Sequence, residues 1–145
     1  MAEDFLILLA NSEDKVDRCF TLVQASLQDL EPYDIAKNYS PKELEPYDAL
    51  SDRFIRCVEI FIKYFKTYEY YKFSLTSDTL RDRLNLMEKL GLITSTPLWM
   101  EMRDTRNRIV HDYLPEQTKD IYERIMSKYF AELKYSKSKI DNLEI

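Results

Sequence analysis

Ser51-Asp52-Arg53-Phe54-Ile55-Arg56-Cys57-Val58-Glu59-Ile60-Phe61-Ile62-Lys63-Tyr64-Phe65-Lys66-Thr67-Tyr68 decides the fold. Phe54, Val58, Phe61, Phe65 and Tyr68 recur at spacings of three and four, so they share one stripe of a helix, with Ile55 and Ile62 beside it. The spacing predicts a helix over about residues 47–73. An apolar face this broad belongs to a central helix, or to one that also meets a second subunit. Tyr64, Tyr68, Tyr70, Tyr71 and Phe73 near its end have the chemistry to stack nucleobases, but helical spacing favours core packing.

Working outward, Val16, Cys19/Phe20, Val23, Leu27 and Leu30 mark an earlier amphipathic helix from Ser12. Phe5 to Leu9 either extend it toward the N-terminus or precede a fresh start at Asn11-Ser12. Pro32, Pro41 and Pro46 make residues 31–46 a connecting segment. Within it Leu30-Glu31-Pro32-Tyr33-Asp34 recurs as Leu44-Glu45-Pro46-Tyr47-Asp48, which reads as helix-start punctuation. Ser77 or Asp78 caps a third helix through Leu80, Leu84, Met87 and Leu90, ended by Gly91 in the left-handed conformation. Thr96-Pro97 offers an N-cap followed by proline for a helix through Trp99, Met102, Ile109 and Val110, limited to about residue 114 by Pro115. A last helix carries Ile121, Tyr122, Ile125, Met126, Tyr129 and Leu133, and its lysine-rich tail is expected to fray.

The chain of 145 residues has one glycine and five prolines, too few for a turn-rich β fold. The expectation is an all-α, up-and-down bundle of four to five helices in a single domain over residues 1–145, its core spanning about 12–133 and its tail about 134–145. Apolar residues at 45% and charged residues at 32% are globular proportions. Cys19 and Cys57 sit inside apolar patterns and read as small buried hydrophobes of a reducing compartment. With one histidine and no cysteine cluster, no metal site is expected. The Phe5–Leu9 run follows Glu3 and Asp4 and lacks the basic lead of a signal peptide, and no apolar stretch is long enough to span a bilayer. A cytoplasmic protein with no membrane contact is expected.

A net charge of −5 disfavours a broad nucleic-acid binder, so any RNA contact must be local. Arg103, Arg106 and Arg108, joined by Arg81 and Arg83, form the candidate patch; the plain alternative is a solvated helix face. The only histidine stands in Arg106-Asn107-Arg108-Ile109-Val110-His111-Asp112-Tyr113. At about 100° per residue, Asn107 and His111 share a face, whereas Arg106 and His111 are about 140° apart. Either the long arginine wraps across, or two copies meet at a symmetric interface and build one pocket from both chains. His111 in the last turn, where the helix's negative end favours imidazolium, can take a proton from an RNA 2′-hydroxyl or donate one to the leaving 5′-oxygen. Arg106 can clamp the scissile phosphate and Asn107 can orient the imidazole or a phosphate oxygen. Such a reaction needs no metal and no cofactor. The plain alternative is a histidine at a helix end beside surface arginines.

Arg106-Asn107-x-x-x-His111-x-Tyr113, late in an all-α domain, resembles the R-x4-H-x-Y signature of HEPN domains of the HepT type, helical-bundle toxins paired with minimal nucleotidyltransferase (MNT) antitoxins. Leu98-Trp99-x-x-Met102 ahead of it extends a resemblance to the nucleotidyltransferase substrate-binding proteins. The resemblance implies a homodimeric, metal-independent ribonuclease with Arg106 and His111 catalytic and Asn107 supporting, and the local arginine patch adds Arg103 and Arg108 as RNA contacts. It also implies that the MNT partner silences the toxin by attaching AMP to Tyr113, which sets bulk and negative charge beside the phosphate-binding arginine. The alternative is a non-catalytic helical adaptor that serves a nucleotidyltransferase.

Overall fold

The computed structural model describes residues 2–111 and 114–145, and among them every regular element is helical. The elements are α1 (Ala2–Gln28), α2 (Pro41–Phe73), α3 (Leu80–Lys89), α4 (Thr96–His111), α5 (Pro115–Arg124), a π turn (Ile125–Tyr129) and α6 (Phe130–Asp141). The last three are continuous, so α5 and α6 act as one rod and the described residues make five rods. None is long and apolar enough to cross a membrane.

Cross-contacts fix an up-and-down order. Phe5 meets Tyr70, Cys19 meets Cys57, and Arg53 donates to the Leu22 carbonyl at 3.1 Å, so α1 and α2 run antiparallel. Trp99 packs on Phe61 and Phe65 while Arg106 reaches Glu59, which sets α4 antiparallel to α2. Arg108 with Asp120 and Glu101 with Lys128 align the last rod against α4. Phe20 on Phe130 and Asp17 with Lys137 close the ring back onto α1. The expected stripe of α2 lies at the centre: Phe54, Val58, Phe61 and Phe65 are essentially inaccessible, and Tyr64 and Tyr68 are buried beside them. Core packing therefore absorbs two of the tyrosines with base-stacking chemistry, and Tyr70 packs on Phe5.

Several boundaries differ from the sequence expectation. Residues 2–28 form one helix, so Phe5 to Leu9 extend α1. The connection between α1 and α2 stops at Ser40, which heads a capping box: its hydroxyl accepts from the Glu43 N–H at 3.2 Å and its N–H donates to Glu43 Oε1 at 3.1 Å. Pro46 lies inside α2 rather than before it. So close to the N-terminal end, its missing N–H deprives only the Lys42 carbonyl of a helical partner, and both residues are exposed to water. The repeated Leu-Glu-Pro-Tyr-Asp starts no helix in either copy. Its tyrosines instead meet edge to face, Tyr33 against Tyr47 at 5.5 Å, and Tyr47 donates to the Glu31 carbonyl.

Thr79, not Ser77 or Asp78, caps α3, and Gly91 closes that helix at φ 78° as expected. Ser95 caps α4 one residue before the expected Thr96, accepting from the Leu98 N–H at 3.2 Å. The tail expected to fray is helical through Asp141, because Ser136 and Ile140 are buried and Lys137 pairs with Asp17 at 2.8 Å.

Two buried carboxylates lock the loops around α3. Glu132 accepts from the Thr94 N–H at 2.9 Å, the Thr94 hydroxyl and the Trp99 indole N–H at 2.7 Å. Glu69 accepts from the Ser77 N–H and hydroxyl, with Arg83 at 3.7 Å. Each is almost wholly buried, and these partners offset the cost of burying it. The start of α4 is thereby fixed against the last rod, which sets the direction in which its exposed end projects.

Candidate functional site

The exposed end of α4 carries the candidate residues. Its inner face is pinned by Trp99, Met102 and Thr105, all buried. Helical geometry then turns Arg103, Arg106 and Asn107 outward, and each is exposed. Together with Met100, Asp104 and Glu59 of α2 they line a cleft of about 450 Å³. Arg106 reaches the Glu59 carboxylate at 3.4 Å, with the two side chains 67% and 48% accessible. Asn107 donates to Asp104 Oδ1 at 3.0 Å. Arg103 forms no ion pair with any described residue.

His111 is the last residue of α4, exposed, and about 6 Å along the axis from Asn107 by helical rise. It is not one of the residues lining that cleft. The cleft therefore gathers the arginines and the amide, and leaves the imidazole one turn beyond them. Tyr113 lies outside the described residues.

Arg108 faces elsewhere, because it is rotated about 140–160° from Arg103 and Arg106 on the helix. It pairs with Asp120 of α5 at 3.0 Å, in a chain that continues through Arg124 at 2.8 Å to Glu101 at 2.8 Å and Lys128 at 2.9 Å. Partial burial would raise the Asp120 carboxyl, but hydrogen bonds from Arg108 and Arg124 outweigh it and hold the group below the usual carboxylate range. Glu101 follows the same pattern, with Lys128 and the charge of Arg124 overcoming its desolvation. This network ties α4 to the last rod. Arg83, another member of the sequence patch, is buried beside Glu69. The residue that sequence reasoning missed is Glu59: it lies 47 positions from Arg106, and no local pattern signals that contact.

A family model described as nucleotidyltransferase substrate binding protein like matches residues 19–142. The chain belongs to this nucleotidyltransferase substrate binding protein-like family. The match runs from the middle of α1 to the end of α6 and so takes in both walls of the cleft. A search of curated proteins finds no significant match. The Arg106-x4-His111 chemistry stands on the residues themselves.

Proposed function

We propose that this chain is the RNA-cleaving subunit of a toxin–antitoxin pair with a minimal nucleotidyltransferase, and that it works as a homodimer. The observation that carries the reading is the exposed cleft that gathers Arg103, Arg106 and Asn107, one helical turn from the exposed His111. The Arg106–Glu59 pair is more than a third accessible on both sides and is worth only about 0–1 kcal/mol, so an incoming phosphate displaces Glu59 at little cost.

In the reaction, the RNA 2′-oxygen bonds to phosphorus and the bond to the 5′-oxygen breaks. One group removes the 2′-hydroxyl proton and another delivers a proton to the departing oxygen, while Arg106 stabilises charge on the phosphoryl oxygens. His111, the single histidine of the chain, can serve as one of these two groups. A two-fold interface can set His111 of one copy opposite Arg106 of the other. Tyr113, two residues after His111, is the proposed acceptor of AMP from the partner; the added phosphate then competes for the same arginine.

A second reading has its own support. In a single chain Arg106 is held by Glu59 and His111 stands off the cleft, which suits an adaptor that presents a phosphate to its nucleotidyltransferase without cleaving it. End-group analysis of RNA incubated with purified protein in EDTA separates the two. The ribonuclease leaves 2′,3′-cyclic phosphate and 5′-hydroxyl ends. The adaptor leaves the RNA intact, and 5′-phosphate ends would rule out the proposed chemistry.

A further inference from the structure

We infer that the groove between α1 and α2 is a second, non-catalytic RNA-binding surface, holding single-stranded RNA that runs on from the α4 cleft. This inference rests on the ribonuclease reading. The groove, about 690 Å³, has Lys15 on α1 and Lys63 and Lys66 on α2, with Leu8 and Ile60 as its apolar surface and Asn11, Ser12 and Thr67 as polar groups.

Charge is what marks it out. Ion pairs among the described residues take up about half of the cations, as with Arg18 and Asp14, Arg56 and Asp52, and Lys119 and Glu123. Lys15, Lys63 and Lys66 are exposed, form no ion pair with a described residue, and no carboxylate lines their groove. A neighbouring cleft shares Lys15 and Ile60 and adds Arg18, Arg53 and Arg56. On its other flank α2 presents Glu59 to the Arg106 cleft, one residue from Ile60 and one turn from Lys63. Of the eight cationic side chains lining these three clefts, Arg18, Arg56 and Arg106 are ion-paired, whereas Lys15, Arg53, Lys63, Lys66 and Arg103 form no ion pair with a described residue, in a chain whose net charge is −5. No carboxylate lines the lysine groove itself, so overall charge does not oppose RNA binding there.

The composition suits a polynucleotide better than an isolated anion. Flexible lysines at the rim neutralise successive phosphates as point charges, without the fixed geometry that reads sequence. Leu8 and Ile60 offer apolar contact to base faces, and the space exceeds what one phosphate needs. A site of this kind adds affinity and length preference to cleavage, not chemistry.

The test is fluorescence anisotropy of the whole protein with a labelled single-stranded oligouridylate, titrated over a series of KCl concentrations, with circular dichroism to confirm folding. The Lys15→Gln/Lys63→Gln/Lys66→Gln variant is compared with wild type and with Arg106→Gln. Three lost phosphate contacts should flatten the slope of log affinity against log salt by about 2 and weaken binding roughly tenfold or more at low salt. If Arg106→Gln weakens binding while the lysine variant matches wild type, the groove is not an RNA surface and the ribonuclease reading survives. If the lysine variant binds RNA normally but no longer co-purifies with the nucleotidyltransferase, the groove is a protein dock and the inference is overturned. No RNA binding by wild type in any salt would remove both this inference and the reading beneath it.

Discussion

Glu59 of α2 and Arg106 of α4 face each other at 3.4 Å across the mouth of the α4 cleft. Under the proposed function the pair is a placeholder, with the carboxylate occupying the guanidinium that a phosphate would take. Glu59→Gln should therefore change stability by less than about 1 kcal/mol, as expected for an exposed pair, and tighten binding of single-stranded RNA severalfold. Anisotropy and urea denaturation check both halves. Weaker RNA binding in the variant would mean that Glu59 orients Arg106 productively instead of competing with the substrate.

The Arg108–Asp120–Arg124–Glu101 chain should make stability fall in acid. Asp120 and Glu101 are both held below their unfolded values. Such carboxyls contribute stability that is whole above the unfolded pKa, about 4, and is lost as pH falls through the lower folded value. Asp120→Asn should lower the melting temperature at neutral pH and flatten its decline below about pH 4. Parallel curves for variant and wild type would show that the network adds nothing to folding.

Glu132 is the most exacting of the buried polar positions. Its carboxylate takes both polar groups of Thr94 and the indole of Trp99. Glu132→Gln turns an amide N–H₂ toward donors and should cost about 1–3 kcal/mol by urea denaturation. A neutral effect would show that water or a shifted Thr94 replaces these bonds.

These relationships show which parts of the structure can be read from the chain. The α2 stripe was legible because Phe54, Val58, Phe61 and Phe65 announce their buried face by period alone. Gly91 was legible because only a left-handed residue ends α3 there. Pro46 misled: proline near a helix start costs little, and the Ser40–Glu43 box six residues earlier is the stronger signal. In the candidate site, helical rotation already separates Arg108 from Arg103 and Arg106. Its partner Asp120 and the Arg106 partner Glu59 belong to other rods, and such pairings are set only by packing. The clamps on Glu69 and Glu132 were invisible for the same reason, since buried carboxylates look like surface ones until the loops close over them.

If the site is shared by two copies, the variants should complement each other. Dimers mixed from Arg106→Ala and His111→Ala subunits should recover cleavage that neither parent shows, because one interface then holds an intact arginine and an intact histidine. A mixture as inactive as its parents would place both residues in the same chain's site.

Cleavage of RNA by the purified protein in EDTA, beside His111→Ala and Arg106→Ala, tests the central claim most directly. Wild type should cleave, and each variant should lose about 100-fold or more while keeping its fold and its oligomeric state. Cleavage that persists in both variants, or a wild type inert on every RNA tried, would contradict the assignment of phosphodiester chemistry to this end of α4.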